Sequence, residues 1–367
     1  METLYLDTET FSECSLKTHG LHPYAEHPTT EITVVQWAWG DDAPHVADCT
    51  ERCYNAVIDR LQGTLKNIAS GQRDAVIVAH NSPFDRTMIA QKWGVNVPVK
   101  YWRDTMAKAL AHGLPGSLEK IGEALGIRID QLKDKRGREL IQLFCMPRPK
   151  NHKLRRATRE THPKEWAEFL EYSRQDIVAM RAIDKALPEW NYRGRELELW
   201  QLDQRINERG FLFDSDLADA AIEAVAKEQE RLKGEVQDLT DGLVSGPSKR
   251  DELLAYILAE HGVDLPDMRA DTLKRRAEDP ELPEAVRLLL NIRLEATKTS
   301  TAKYKAGLKM VSADGRMRYT QQFCGASRSG RWSHKGFQPG NMVRPDMEQW
   351  EIDLGIEALK AGVAGLL

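Results

Sequence analysis

Short apolar runs and longer amphipathic segments alternate along the first half of the chain. The apolar and β-branched runs are typical of strands, and the spacing of apolar residues between them is typical of helices. Strands are predicted at residues 3–9, 32–39, 46–47 and 75–79, and helices at 52–69, 83–93, 103–112, 117–125, 137–145 and 163–187. A turn signal, Gly40-Asp41-Asp42, makes the second and third strands an antiparallel hairpin. This order predicts an α/β domain with a mixed central sheet over residues 1–190.

Beyond the predicted α/β domain, apolar residues recur almost only at helical spacing. Helices are predicted from about 215 to 239 and from 283 to 300. Asp214 or Ser215 can cap the first of these helices. Ser248 and Asp251 match a capping box, which predicts another helix start between them. The segment 191–310 is therefore predicted to be a mainly helical region.

Composition narrows the class of protein. The 367 residues are enough for two or three domains, and 41% hydrophobic with 29% charged residues indicates a folded, globular chain. A net charge of −4 gives no overall attraction to nucleic acid or anionic membranes, so any basic surface must be local. The N-terminus lacks the basic segment of a signal peptide, and no apolar run reaches membrane-spanning length. We therefore expect a cytoplasmic protein without a membrane partner.

The cysteines do not indicate a disulfide framework or a clear metal site. They are Cys14, Cys49, Cys53, Cys145 and Cys324. The closest pair, Cys49 and Cys53, has no cluster of histidine or cysteine beside it. We interpret all five as reduced thiols in preference to a zinc site.

Basic residues are concentrated in two segments. Residues 148–159 contain six Lys or Arg and no acid, which is consistent with either a solvated face or a nucleic-acid contact. Residues 303–344 contain nine Lys or Arg against one acid, Asp314. Aromatic residues are interleaved with this second set, at Tyr304, Tyr319, Phe323, Trp332 and Phe337. Basic and aromatic residues in one segment favour a nucleic-acid contact.

Three separated segments carry carboxylates that can converge. Strand alternation puts Asp7 and Glu9 of LYLDTETFS on one face. Asp85 in AHNSPFDRTMI follows the last predicted strand, at the strand end where open α/β sheets bind ligands. Asp176 lies four residues after Tyr172, on one helical face. Such oxygen ligands suit Mg²⁺ or Mn²⁺ rather than zinc, and two ions about 4 Å apart can hold an attacking hydroxide and a leaving 3′ oxygen during phosphodiester hydrolysis.

Together these segments resemble the three exonuclease motifs of the DEDD family of 3′–5′ exonucleases, which have an RNase H-like fold. The resemblance covers roughly residues 1–190. One branch of the family has a histidine five residues before the last aspartate, and this chain has Glu171 there. Tyr172 instead occupies the position of the tyrosine branch, which includes the proofreading domains of DNA polymerases.

The resemblance implies a role for each of these residues. The implied catalytic set is Asp7, Glu9, Asp85, Tyr172 and Asp176. The carboxylates of the first and third motifs would hold one metal ion, and Asp7 with Asp85 would hold the second. Tyr172 would orient the attacking water. Asn81 and Phe84 would shape the second motif and contact DNA.

A second resemblance lies in GASRSGRWSHKGFQPGN, residues 325–341. It is similar to a segment of the family A DNA polymerases, the DNA polymerase I type, that contacts the minor groove of the primer–template. Arg331 and Asn341 match best, and Gly340 stands where the family commonly has Gln. The implied DNA contacts are Arg328, Arg331, Lys335, Gln338 and Asn341. Residues 194–300 resemble the entry to the thumb, and phage-encoded polymerases give the closest overall pattern.

The resemblance divides the chain into three segments: a DEDD exonuclease domain at 1–190, a thumb-like helical region at 191–310, and a basic DNA-contacting segment with a truncated palm start at 311–367. Synthesis in family A needs two palm aspartates and a fingers helix after residue 341, and nothing like them occurs before Leu367. We therefore expect no primer extension by this chain alone. Residues 346–367 are expected to be poorly ordered or to bind a partner.

The resulting hypothesis is a metal-dependent 3′–5′ exonuclease of the proofreading type. Its expected partners are the single-stranded 3′ end and the primer–template duplex of DNA, and a second chain that carries palm and fingers. One alternative is an RNA exonuclease similar to RNase D. Another is a non-catalytic DNA-binding subunit that completes a split polymerase.

Overall fold

The computed structural model describes residues 1–127, 135–298, 301–342 and 345–363, and these fall into two compact units. The first unit combines residues 1–213 with 309–342, and the second combines 214–308 with the described residues after 342. This division differs from the three segments predicted above. The assignment of those segments to exonuclease, thumb and palm stays a prediction.

A five-stranded sheet forms the centre of the first unit. Its strands are β1 (Glu2–Phe11), β2 (Glu31–Trp39), β3 (His45–Asp48), β4 (Ala75–Ala79) and β5 (Trp102–Asp104). Their order is β3-β2-β1-β4-β5. The β1–β2 and β2–β3 pairs are antiparallel, whereas β1–β4 and β4–β5 are parallel. This confirms the predicted α/β domain with a mixed sheet, and it puts β1 in the middle.

Nine helices of the described chain surround or follow this sheet. They are α1 (Leu16–His19), α2 (Leu21–Glu26), α3 (Asn55–Ala69), α4 (Pro83–Trp93), α5 (Thr105–Ala111), α6 (Leu118–Ala124), α7 (Lys135–Phe144), α8 (Pro163–Ala186) and α9 (Arg195–Arg209). The single helix predicted over 103–112 is wrong at its start. Trp102 is fully buried and pairs with Ile77 of β4, so the chain remains extended until Asp104 caps α5.

Helix α8 packs across the antiparallel half of the sheet, against β1, β2 and β3. It is held there by an aromatic cluster in which Phe144 of α7 contacts Trp166 and Phe169 of α8, with ring centroids 4.9 and 5.3 Å apart. Tyr172 belongs to the same buried cluster. Burial of these large rings stabilises the packing of α7 and α8 on the sheet.

Two small antiparallel pairs complete the first unit, and the sequence pattern did not predict them. They are β6 (Phe211–Leu212) with β7 (Arg316–Met317), and β8 (Gln321–Ala326) with β9 (Arg331–His334). The β8–β9 hairpin is attached to α9 by side chains. Asn207 binds both backbone groups of Gln321, and Trp332 Nε1 donates to Asp203 Oδ1 at 2.7 Å.

The remaining helices are α10 (Ser215–Leu239), α11 (Arg250–His261), α12 (Ala270–Ala277), α13 (Glu284–Lys298), α14 (Ala302–Met310) and α15 (Gln349–Lys360). Asp214 caps α10 as predicted. The predicted capping box of Ser248 and Asp251 is wrong, because α11 begins at Arg250 without a side-chain cap. The predicted end of α13 at residue 300 lies outside the described residues.

The segment after residue 345 forms a capped helix within the second unit. Glu348 and Glu351 make a reciprocal capping box at the start of α15, and Lys360 pairs with Asp214 at 2.5 Å. The first half of the prediction, poor order, is therefore wrong for α15, whereas the other half, that this segment binds a partner, stays a prediction. Residues 364–367 lie outside the described chain. Among the described residues, no helix is both long enough and apolar enough to cross a membrane.

Candidate metal-binding active site

The first motif lies in the middle of the central strand. Alternation along β1 leaves Asp7 and Glu9 partly exposed while Thr8 between them is buried. In the register of β1 and β2, Asp7 lies opposite Gln36. Gln36 Nε2 donates to Asp7 Oδ2 at 2.6 Å, so the neighbouring strand fixes the orientation of this carboxylate.

The third motif lies on α8 and brings Asp176 close to Asp7 and Glu9. One carboxylate oxygen from each of Asp7, Glu9 and Asp176 lies within 4.8 Å of the other two. We call these residues the carboxylate group. Like charges at this separation repel one another unless a cation or protons offset them. Three oxygen donors that converge from two elements are a ligand set for a hard divalent cation.

Asp85 lies in the first turn of α4 and is buried, outside the carboxylate group. Thr8 Oγ1 donates to Asp85 Oδ1 at 2.7 Å. Burial raises the pKa of Asp85 well above its usual range, and the charge of Asp7 raises it further, whereas the Thr8 hydrogen bond opposes the shift. Asp85 is therefore held beside Asp7 as a carboxyl that resists ionisation without a nearby cation.

Tyr172 lies one helical turn before Asp176 on α8. Burial raises the pKa of its phenol, and the charges of Asp176, Glu9 and Asp7 add to this shift. The phenol therefore remains protonated across the neutral range and can donate a hydrogen bond. Its ring is anchored in the aromatic cluster of α7 and α8, which limits its movement.

A thiol contacts the carboxylate group from the end of α7. Cys145 Sγ donates to Glu9 Oε2 at 3.8 Å. Burial raises the pKa of Cys145 well above its usual range, and Glu9 adds to the shift. The protonated thiol is therefore favoured in this environment, and it supports Glu9 as a weak hydrogen-bond donor.

The loop that leads into α4 is fixed by Asp104. Its Oδ2 accepts from Ser82 N at 2.8 Å and from Ser82 Oγ at 3.0 Å, and its Oδ1 accepts from Asn81 N at 3.1 Å. The same Oδ1 caps α5 by accepting from Met106 N and Ala107 N. Asn81 has a left-handed φ of 64°, so its conformation depends on such external contacts.

The residues predicted to contact DNA fall into three places. Asn81, Phe84 and Lys335 line one cavity of about 300 Å³ within the first unit. Arg328 and Arg331 are exposed at the tip of the β8–β9 hairpin. Gln338 and Asn341 form a separate turn, in which Asn341 Nδ2 donates to Gln338 Oε1 at 3.0 Å.

Sequence reasoning missed three residues around the carboxylates: Gln36, Thr8 and Cys145. Gln36 had a weak signal, because it is the one amide in the otherwise apolar or β-branched run ITVVQWAW. Its contact with Asp7 follows only from the strand register, which the sequence does not specify. The Thr8 and Cys145 contacts depend on how α4 and α7 pack, and no local pattern indicates them.

Comparison with known proteins gives one sequence relative and one structural neighbour of note, whereas no protein-family model matches. The chain is 33% identical to a DNA polymerase of Bacillus phage SP02 over 365 residues, which are 99% of this chain. It spans 54% of the length of that relative. The fold resembles the POL domain of Pol1 from M. smegmatis, solved in complex with DNA primer-template and dNTP. That match has a TM-score of 0.58 and 13% identity and covers 94% of this chain and 53% of the other. The sequence match is therefore to a DNA polymerase of which this chain spans about half, and the structural match shows a shared fold.

Proposed function

We propose that the first unit is a 3′–5′ exonuclease of the proofreading type, which hydrolyses DNA with Mg²⁺ or Mn²⁺. The observation that carries the proposal is the convergence of Asp7, Glu9 and Asp176 within 4.8 Å. Two supporting groups lie beside them, the buried carboxyl of Asp85 and the protonated phenol of Tyr172. This combination of residues is the one expected for the DEDD tyrosine branch.

The donor set fits the proposed ions. Every charged donor of the group is a carboxylate oxygen, and Mg²⁺ and Mn²⁺ prefer oxygen ligands. The sulfur of Cys145 contacts Glu9 but lies outside the carboxylate group, so the group itself contains no soft ligand of the kind that zinc favours. Asp7, Glu9 and Asp176 would hold one ion, and Asp7 with Asp85 would hold a second.

The protein's own residues have distinct tasks in the proposed reaction. When bound, the divalent ions supply a hydroxide at neutral pH and stabilise the leaving 3′ oxygen. Gln36 holds Asp7 in place, and Thr8 holds Asp85. A nearby cation favours the ionised form of Asp85, so ion binding at this residue would release a proton. Tyr172 would hold the attacking water at its phenol oxygen.

DNA is the proposed substrate. The sequence relative is a DNA polymerase, and the structural neighbour was solved with DNA primer-template. The exposed cations Arg328 and Arg331 in the β8–β9 hairpin are proposed contacts to the primer–template duplex, and the cavity residues Asn81, Phe84 and Lys335 are proposed contacts to the single-stranded 3′ end.

The proposal is tested by incubating the purified chain with a 5′-labelled single-stranded DNA oligonucleotide in Mg²⁺, and in EDTA as the metal-free control. The expected result is a ladder of products shortened from the 3′ end in Mg²⁺ only. An RNA oligonucleotide of the same sequence distinguishes the alternative similar to RNase D. DNA binding without hydrolysis in Mg²⁺, and also in a parallel reaction with Mn²⁺, would favour the non-catalytic subunit and contradict the proposal.

A further inference from the structure

A basic loop, residues 146–156, connects α7 to the segment before α8 and is not part of the site described above. It contains Arg148, Lys150, Lys153, Arg155 and Arg156 and no acidic residue. From the sequence, this stretch was consistent with either a solvated face or a nucleic-acid contact. Three features of the structure favour the nucleic-acid contact: the anchoring of the loop, its closure by hydrogen bonds and the distribution of its ion pairs.

Both ends of the basic loop are anchored to β1, the strand that carries Asp7 and Glu9. At one end, the Cys145 thiol contacts Glu9 at 3.8 Å. At the other end, the guanidinium of Arg156 lies 4.2 Å from the ring centroid of Phe11 and pairs with Glu31. The loop therefore starts beside Glu9 of the carboxylate group and ends at Phe11, two residues further along the same strand.

The core that holds Tyr172 also holds the flanks of the loop. Phe144 precedes the loop, Ala157 follows it, and both are buried in the same cluster as Tyr172. The position of the loop relative to the carboxylate group is thus set by well-packed side chains. A surface fixed in this way can present charges to a ligand at a defined place.

The loop is closed by its own hydrogen bonds. Arg148 N donates to Arg155 O at 2.8 Å, and Arg155 Nη1 donates to Arg148 O at 2.7 Å. Between residues 148 and 155, which these two hydrogen bonds join, His152 N donates to Pro149 O at 2.9 Å. Lys150 and Lys153 are exposed near the tip of this closed ring.

The ion pairs separate the basic residues of this stretch into two classes. Arg156 pairs with Glu31, and Arg159 beyond the loop pairs with Glu51 and Glu160. Among the described residues, no carboxylate lies within ion-pair distance of the other basic side chains, which are Arg148, Lys150, Lys153 and Arg155. The closed part of the loop therefore carries positive charge that no carboxylate of the described residues neutralises by an ion pair.

Helix α10 provides a contrast within the same chain. Its cations follow the pattern of a solvated face, because Lys227 pairs with Glu223 and Arg231 pairs with Glu228 and Glu235 at helical spacing. The closed part of the basic loop differs, because among the described residues no carboxylate is within ion-pair distance of its cations. A local surplus of positive charge beside a repulsive carboxylate group indicates a polyanionic ligand that approaches those carboxylates.

We propose that the basic loop binds the phosphate backbone of single-stranded DNA whose 3′ end lies at the carboxylate group. This inference rests on the proposed exonuclease function, because that function brings a strand to Asp7 and Glu9. The cations offset the repulsion between the phosphates and the carboxylates. The contact is to phosphate, so it is independent of base sequence.

The test measures binding of a fluorescein-labelled oligothymidylate of about 12 nucleotides by anisotropy as a function of salt concentration. The buffer contains EDTA, so hydrolysis does not contribute. The variant is Lys150→Gln/Lys153→Gln, which removes two exposed cations from the loop. Each lost phosphate contact on a single strand lowers the slope of log Kd against log salt by about 0.7, so we expect a loss of about 1.4.

The matched control is Arg60→Gln/Lys66→Gln, which removes two exposed cations from α3. We expect this control to retain the wild-type slope. A loop variant with the slope of the wild type would overturn the proposal, as would an equal change in the control. Circular dichroism spectra that match the wild type verify that both variants are folded.

Failure of the exonuclease function would be distinguishable from failure of this inference. A chain that does not hydrolyse DNA, but whose loop variant loses the salt slope, would contradict the proposed function and retain the loop as a DNA contact. A chain that hydrolyses DNA, and whose loop variant binds like the wild type, would retain the function and overturn the loop contact.

Discussion

Thr8 Oγ1 donates a hydrogen bond to Asp85 Oδ1 at 2.7 Å, and this contact joins the central strand to the first turn of α4. Both residues are buried. Asp7, next to Thr8, raises the pKa of Asp85 further through its charge. The first and second motifs are therefore joined by a short-range hydrogen bond while their carboxylates repel each other.

This arrangement predicts that Asp85→Asn stabilises the metal-free protein at neutral pH. The pKa of Asp85 is raised in the folded state, so its contribution to stability is complete below the unfolded pKa of about 3.9 and is lost as the pH rises through the folded pKa. Asparagine has no such ionisation. Thermal unfolding in EDTA between about pH 4 and 8 should show a Tm advantage for the variant that grows with pH.

Asp59→Asn is the matched control, because it removes an exposed carboxylate from α3. Its Tm should follow that of the wild type at every pH. A variant at Asp85 whose Tm difference from wild type is constant over the range would contradict the assignment of an ionisation penalty to this residue.

The second prediction concerns Asp104, which fixes the loop before α4. Asp104→Ala should lower the free energy of unfolding by about 2–4 kcal/mol, because a helix cap is lost and the buried N–H of Ser82 and the N–H of Asn81 lose their acceptor. Urea unfolding measures this change. Asp214→Ala is the control, since it removes an exposed N-cap and should cost about 1 kcal/mol.

Asp104 should also affect hydrolysis, because α4 carries Asp85. For the folded fraction of Asp104→Ala, we expect a lower kcat and a higher Mg²⁺ concentration for half-maximal rate. Asp104→Asn keeps one oxygen acceptor, so its kcat and its Mg²⁺ concentration for half-maximal rate should both be closer to those of the wild type. Wild-type metal dependence in a folded Asp104→Ala protein would show that this residue only stabilises the fold.

The third prediction separates the two polar residues of α8. Tyr172→Phe should slow single-turnover hydrolysis less than Asp176→Ala does, because the phenol positions a water whereas the carboxylate belongs to the proposed ion site. The Mg²⁺ dependence should change only for Asp176→Ala. A greater loss of rate in Tyr172→Phe would reverse the proposed roles.

The fourth prediction concerns the tip of the β8–β9 hairpin. Arg331→Ala should weaken binding to a primer–template duplex more than binding to a single strand, because the segment 325–341 resembles a minor-groove contact. Arg331 is exposed, so the fold should not change. Anisotropy with both DNA types measures the difference. Equal losses on both would indicate a general electrostatic role.

The strands and helices of the first unit were largely predictable because their periodicity is strong. The run Ala75–Ala79 was placed correctly as a buried strand, and Ile32–Trp39 was predicted within one residue of β2. β5 was missed because a strand of three residues has too short a pattern to outweigh the helical sequence after it. The β8–β9 hairpin was missed because its residues are polar and its support comes from α9 side chains.

The candidate site shows the same limit. Spacing alone predicted that Asp7 and Glu9 share a face, and the order of the motifs predicted their proximity to Asp176. The position of Asp85, beside Asp7 but outside the carboxylate group, follows from the packing of α4 on β1, which local pattern does not determine. The contact of Gln36 with Asp7 depends on strand register, and the contact of Cys145 with Glu9 depends on tertiary packing, so the local sequence pattern predicts neither.

The most direct measurement compares the wild type with Asp7→Ala on 5′-labelled single-stranded DNA in Mg²⁺. The account predicts stepwise shortening from the 3′ end by the wild type and a loss of more than about 100-fold in the variant, which exceeds the usual cost of losing a residue that only supports a metal ligand. Asp59→Ala, an exposed carboxylate on α3, should behave as the wild type. A folded Asp7→Ala protein that shortens DNA at the wild-type rate would contradict the claim that the carboxylate group is the exonuclease site.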